Sequence, residues 1–274
     1  MPGKHSVQQL AKFGGTPEFA MTLRVGRPNK IDRRGFYARL DGVFDRNWLS
    51  NGGPCVNELE CRIASLLEVR HCIVVSNATV GLQIMAKAAG LAGEVILPAF
   101  TFAATAQAMT WIGLKPVFCD VDERTHNLDP ARVAERITPR TSAILGVHLW
   151  GRGCDVAALD MLADHHRLAL LFDAAHAFGC AQSGRMLGGN GLAEVFSFHA
   201  TKFFSACEGG AICTNDPELA DTMRSMVNFG FTRPDRLAEC GTNAKMSELS
   251  AAMALTNLDH LDEIVDVNRR NYTA

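Results

Sequence analysis

From Glu58 onward the chain alternates two kinds of segment. One kind is amphipathic at helical spacing: VNELECRIASLLEV, ATVGLQIMAKAAG, FAATAQAMTWIG and VAALDMLADHHRL. The other is a short apolar run: HCIVVS, EVILPAF, KPVFCDV, TSAILGVHLW, LALLFDAA, VFSFHA and GGAICTN. Such runs predict buried strands. Their alternation with helices predicts an α/β fold, a mostly parallel central sheet flanked by helices. The punctuation agrees. Gly90 stands where a helix C′ residue belongs, and Pro98 stops a strand. Asp129-Pro130 and Asp216-Pro217 each place a capping acid before a proline at the first helical position.

Three stretches follow from the same pattern. Residues 1–50 are broken by Gly and Pro (FGGTPEF, VGRPNK, LSNGGP) and read as an extended N-terminal arm with one short helix, Arg33–Phe44. Residues 51–240 form the main domain. Residues 241–274 contain MSELSAAMALTNLDHLDEIVDVNRRNYTA, which reads as one long helix with nothing after it to pack on. The expectation is a C-terminal domain of which this chain holds the start.

Composition narrows the function. The 274 residues are 47% hydrophobic, enough for a large core, and the net charge of -2 argues against an electrostatic nucleic-acid binder. No apolar run is long enough to span a bilayer, so no membrane association is expected. The first residues lack an apolar core of the secretory type. Nine cysteines are scattered without a CxxC pair, which predicts reduced thiols and a cytoplasmic protein. The nine histidines form no metal pattern, and adjacent His165 and His166 point to different helix faces, so no metal site is expected.

Ligands of open α/β sheets bind beyond the C-terminal ends of the strands. Four predicted strand ends carry chemistry: Ser76-Asn77-Ala78-Thr79, Ala99-Phe100-Thr101-Phe102, Asp173-Ala174-Ala175-His176 and His199-Ala200-Thr201-Lys202. A helix opening at Ala78 and Thr79 offers N–H groups and a positive dipole end to a phosphate. A strand-end carboxylate, Asp173, can keep a pyridine nitrogen protonated. The Phe102 ring can stack on a heterocycle. Lys202 can form a Schiff base and then act as general base, provided burial or a nearby cation lowers its pKa. Singly, each residue has an ordinary explanation. SNAT is a common capping turn, Asp173 a polar loop residue, Phe102 core, Lys202 solvated, and His176 and His199 packing groups. Their order and joint placement carry the weight. A competing pattern, Gly151-Arg152-Gly153 with Asp173 about 20 residues on, mimics a dinucleotide fingerprint. It fails at Val156, where close helix–strand packing needs Gly or Ala, and it leaves Lys202 and SNAT unexplained.

The run Ser197-Phe198-His199-Ala200-Thr201-Lys202 followed by Glu208-Gly209-Gly210 resembles the Schiff-base segment of the DegT/DnrJ/EryC1/StrS sugar aminotransferases. WLSNGGPCVNELE, SNAT, LPAFTFAATAQA, DAAHAFG and GTNAKMSELSAA extend the resemblance over nearly the whole chain. It implies the large domain of fold type I and pyridoxal 5'-phosphate as cofactor. By position it implies that Lys202 is the Schiff-base lysine, that Asp173 holds the pyridine nitrogen, and that His176 lies beside the ring and its 3-hydroxyl. Phe102 takes the stacking position, and Ala78, Thr79 and Ser197 match phosphate contacts. Asn243 matches an asparagine that reaches the phosphate of the other subunit, which implies a homodimer with shared sites. The implied reaction moves an amino group from glutamate to a nucleotide-linked keto sugar, in amino-sugar biosynthesis of the polysaccharide or O-antigen kind. The SFHATK and EGG wording resembles members aminating C4 of a dTDP-4-keto-6-deoxyhexose, where C3-specific members tend to SFYP and GDGG. Related dehydratases carry His in place of the lysine, so Lys202 favours transamination over dehydration. A catalytically silent paralogue and a nicotinamide oxidoreductase complete the set of functions compatible with the chain.

Overall fold

The computed structural model describes residues 7–17, 19–21, 28–233 and 235–273. Positions 1–6, 18 and 22–27, which fall in the expected N-terminal arm, lie outside the described residues.

Seven strands build one sheet: β1 (His71–Val75), β2 (Glu94–Pro98), β3 (Lys115–Cys119), β4 (Thr141–Val147), β5 (Ala169–Asp173), β6 (Ala193–Ser197) and β7 (Gly210–Thr214). Their spatial order is β1-β7-β6-β5-β4-β2-β3. The pairs β2–β3, β2–β4, β4–β5 and β5–β6 are parallel. Strand β7 runs against both neighbours, β6 and β1. The expected mostly parallel sheet is therefore present, with one reversed strand inserted between two that share a direction. Strand β5 is buried after its first residue and β2 is buried throughout, as a sheet covered on both faces requires.

Helices α1 (Arg33–Asp45), α2 (Pro54–Leu66), α3 (Ala78–Ala88), α4 (Ala103–Trp111), α5 (Pro130–Arg136), α6 (Val156–His166) and α7 (Pro217–Val227) follow the periodic segments. The two Asp-Pro starts cap as expected: Asp129 accepts from Ala131 N–H, and Asp216 from Glu218 and Leu219 N–H. Gly90 takes a left-handed φ of 66° just past α3. Helix α2 has no cap of its own, because Gly53 precedes it. Its first amides are caught instead by the fully buried Glu248, which accepts from Cys55 N–H at 2.8 Å and Val56 N–H at 2.9 Å. A Cβ at Gly53 would lie 2.5 Å from the Glu248 carboxyl carbon, so the glycine admits the distant acid.

The C-terminal segment corrects one expectation. It is two helices, α8 (Glu248–Asp259) and α9 (Leu261–Thr273), broken at His260 (φ -114°, ψ 19°). No Gly or Pro marks the break. The environments differ instead. Ala251, Ala252, Ala254 and Leu255 of α8 join the main core with residues of α2, whereas Ile264 is the buried residue of α9. The His260 imidazole stands 3.4 Å from Asp32, the N-cap of α1, and 3.3 Å from Glu263. Among the described residues no helix is long and apolar enough to cross a membrane.

Candidate active site

A cavity of about 390 Å³ opens beyond the C-terminal ends of β1, β2, β4, β5 and β6. The four predicted strand-end loops meet in it: Ala78, Thr79, Phe102, Asp173, His176, Ser197, His199 and Lys202 all line it. Asn243 does not. It is exposed, on a backbone bridge to Asn228.

Each wall has a local cause. On the β1 side, Asn77 caps α3 by accepting Val80 N–H at 2.9 Å, a bond that leaves the first two amides of the helix, Ala78 and Thr79, outside its reach. Gly210 of β7 lets this helix end approach the sheet: a Cβ there would sit 2.9 Å from Ala78 N. The result is a helix N-terminus facing a cavity, which suits an anion.

On the β5 side, Asp173 is 5% exposed and held from three directions. Thr105 Oγ donates to one carboxylate oxygen at 2.7 Å, and Ala175 N–H donates to the other at 3.1 Å. Thr105 has spent its one hydrogen, so Thr101, 2.8 Å away, is the donor to Thr105. The Asp173 carbonyl accepts the His148 amide at 3.0 Å. His148 itself is fully buried, stacked on Phe172 at 4.5 Å, with Nε2 3.2 Å from Glu194. Each Asp173 oxygen has one bond here, so lone pairs remain to accept a hydrogen from a ligand.

His176 is half-buried beside it. Its Nδ1 accepts the Trp150 N–H at 3.3 Å, so the neutral ring carries its hydrogen on Nε2. Burial lowers its pKa, the Lys202 cation lowers it further, and Asp173 opposes both. Lys202 lies in the turn after β6, its own amide bonded to the His199 carbonyl at 2.9 Å. Beneath that turn Phe178, Phe198 and Phe204 pack with centroids 4.5–5.1 Å apart, a rigid floor for the loop. Burial lowers the Lys202 pKa, and Asp173 raises it in part. Among the described residues the Lys202 amine has no hydrogen-bond or ion-pair partner within the chain. An amine that is half-buried, lowered in pKa and without a partner among the described residues has the properties a nucleophile needs.

Phe102 departs from its ordinary role as a core residue. It lines the cavity and is 73% exposed, so it is available to a ligand and not packed in the core. Thr105 was missed in the sequence, although it is the shortest contact to Asp173. The available signal was its place one turn beyond Thr101 in TFAAT, on the same helix face. Glu208 was also missed as a separate group. It lines the cavity with Oε1 3.4 Å from His199 Nε2. The Gly151-Arg152-Gly153 pattern forms a tight turn at Leu149–Gly151 and binds no helix end, since α6 starts at Val156 and is capped by Asp155.

The mostly parallel seven-stranded sheet with one reversed strand is that of the large domain of fold-type I aminotransferases, and Lys202 and Asp173 stand at its strand ends. Residues 31–274 match the profile of the DegT/DnrJ/EryC1/StrS aminotransferase family, and the chain belongs to that family. It is 39% identical over 238 residues to the dTDP-4-amino-4,6-dideoxy-D-glucose transaminase of Shigella dysenteriae, covering 87% of this chain and 65% of that protein. It superposes on the crystal structure of DesI in the presence of its TDP-sugar product with a TM-score of 0.93 and 57% identity, over 98% of this chain and 68% of DesI. It superposes on NtdA of Bacillus subtilis with bound cofactor PMP with a TM-score of 0.78 and 29% identity, over 83% of this chain and 53% of NtdA. The chain thus spans about two thirds of the length of the Shigella relative.

Proposed function

We propose that the chain is the cofactor-binding part of a pyridoxal-phosphate-dependent aminotransferase that moves an amino group from glutamate to a nucleotide-linked keto sugar. The observation that carries this is the joint placement of an unpaired, half-buried Lys202 and a hydrogen-bonded, buried Asp173 on one cavity that also receives the N-terminus of α3.

The residues fit the cofactor. When bound, pyridoxal phosphate withdraws electrons from the substrate α-carbon. Ala78, Thr79 and Ser197 would hold its phosphate beside the helix N-terminus. Asp173 would accept the hydrogen of its pyridine nitrogen; Thr105 holds that carboxylate and Thr101 donates to Thr105. Phe102 would stack on its ring, and the neutral His176 would donate from Nε2. Lys202 would supply the amine for covalent attachment and, when free, would carry the substrate α-proton in both halves of the reaction. Asn243, exposed and outside its own cavity, reaches the phosphate site of a second copy in a homodimer.

Two observations support this acceptor over others. The Shigella relative is named as a 4-amino-sugar transaminase. DesI was crystallised with a TDP-sugar product. Lysine in place of histidine at position 202 supports transamination over dehydration. The acceptor carbon is C4 of a dTDP-4-keto-6-deoxyhexose. The test is a glutamate titration of the purified, cofactor-loaded protein. Loss of its visible absorbance with formation of one 2-oxoglutarate per site is the expected result. Unchanged absorbance, or 2-oxoglutarate below stoichiometry, overturns the reading.

A further inference from the structure

A buried polar pair lies behind the cofactor cavity, and the reaction above does not use it. His148 and Glu194 are both fully buried, and His148 Nε2 stands 3.2 Å from Glu194 Oε2. Among the described residues neither atom has another polar partner, and the approach is oblique, so the attraction is more electrostatic than a directed hydrogen bond. The neighbours fix where the hydrogen is. Glu194 Oε1 accepts from Gly188 N–H at 2.8 Å, Asn190 N–H at 2.8 Å and Asn190 Nδ2 at 2.7 Å. His148 Nδ1 accepts the Cys154 amide at 3.1 Å, so the neutral ring carries its hydrogen on Nε2, on the side of the free carboxylate oxygen. Apolar side chains of similar volume often hold such a place at least as stably as a buried polar pair, so stability alone does not account for this one.

The pair grips the backbone at Asp173. The Asp173 carbonyl accepts the His148 amide at 3.0 Å, and the N–H of the same peptide group, on Ala174, donates to the Val195 carbonyl at 2.8 Å. One side of that peptide is held by His148 and the other by the residue after Glu194. The imidazole stacks on Phe172, centroids 4.5 Å apart and planes 16° apart, and Phe172 is the register partner of Glu194 across β5 and β6. The fit is close: a Cβ at Gly146 would come within 2.7 Å of the Phe172 ring. Successive strand residues point to opposite faces. Phe172 accordingly packs in a different core cluster from Leu171 and Val195. The His148–Phe172–Glu194 assembly thus ties β4, β5 and β6 together on the face away from the Asp173 carboxylate.

We propose that His148 and Glu194 are positioning residues for Asp173. They fix the plane of the 173–174 peptide, and with it the aim of the carboxylate at a ring nitrogen in the cavity. This rests on the aminotransferase reading, in which Asp173 is the partner of the pyridine nitrogen.

The test compares two cofactors on the full chain: pyridoxal phosphate, and an analogue with carbon in place of the ring nitrogen. Dissociation constants for both are read from visible absorbance, beside melting temperatures. The parent should prefer the nitrogen ring about tenfold or more, the worth of a hydrogen bond to a charged group. In Glu194→Gln either orientation of the new amide sets donor against donor, and the preference should fall about fivefold or more. His148→Asn keeps an acceptor near the place of Nδ1 but offers Glu194 nothing, and should do the same. His148→Gln, whose amide nitrogen reaches the place of Nε2, should keep most of the preference. A pair that serves only the fold would lower the melting temperature and weaken both cofactors alike, leaving their ratio as in the parent. A parent without the preference overturns the Asp173 assignment and this proposal together. A parent with it, whose Glu194→Gln and His148→Asn variants keep it, overturns the positioning role alone. A loss in His148→Gln as large as in His148→Asn also overturns it. If one of Glu194→Gln and His148→Asn does not fold, the other decides.

Discussion

The two ends of the sheet hold ionisable groups in opposite ways. At the N-terminal end of the strands Glu94 is 2% exposed and saturated. One oxygen meets Lys115 at 3.1 Å and Arg140 at 3.0 Å, and the other accepts from Thr138 at 2.8 Å. Its pKa is pulled down to about 2, by the Thr138 hydrogen bond first and the Lys115 bond next. At the C-terminal end Asp173 keeps lone pairs open, and Lys202 has no partner among the described residues. A sheet end built for stability closes its charges. An end built for chemistry leaves acceptor sites open on its carboxylate, and burial there lowers the Lys202 pKa.

That contrast can be broken by mutation. Lys202→Ala carries the largest effect: turnover falls roughly 10³-fold or more, as loss of a nucleophile and proton carrier requires, and the glutamate-dependent absorbance change disappears. Asp173→Asn comes next. Turnover falls by roughly 10²-fold or more, the range of a lost electrostatic partner at a reacting centre. The same change has a signed consequence for Lys202. Its pKa lies below the ordinary lysine value of 10.5 because of burial, and Asp173 opposes that shift. Cofactor uptake, which needs the neutral amine, therefore rises with pH along a curve centred below 10.5. In Asp173→Asn the curve moves further down, because the opposing charge is gone. Uptake rates measured across pH check both statements.

Thr105→Val is smaller, about tenfold in turnover, the worth of one hydrogen bond to a charged group. Steady-state rates against the parent read it directly. Glu94→Gln sits at the bottom of the scale for activity and acts on stability instead. A carboxylate whose folded pKa is depressed to about 2, from 4.5, stabilises the fold above the unfolded value and loses that contribution as pH falls through the folded one. Melting temperature in the parent should therefore drop between those two values, and the slope should flatten in Glu94→Gln. The glutamate half-reaction should survive the change.

Much of this was legible in the chain. Apolar runs of five to seven residues and Asp-Pro caps located the strands and helices because those signals are local. Strand direction was not legible for GGAICT, since a period of two looks the same read either way, and only the pairing of Cys72 with Cys213 and of Glu194 with Cys213 reveals the reversal. The Glu248 cap on α2 was hidden for the same reason: it joins residues about 190 positions apart. The break at His260 has no breaker residue, so helical periodicity ran straight through it. In the site, Asp173 and Lys202 stood at strand ends where chemistry collects, whereas Thr105 looked like one more helix residue until the carboxylate was seen 2.7 Å away.

The proposed chemistry turns on one covalent bond. Cofactor-loaded protein reduced with borohydride, digested and sequenced by mass spectrometry should carry the reduced pyridoxyl mass on the peptide containing Lys202, near one per chain. Finding that mass on another lysine, or on none, would contradict the assignment.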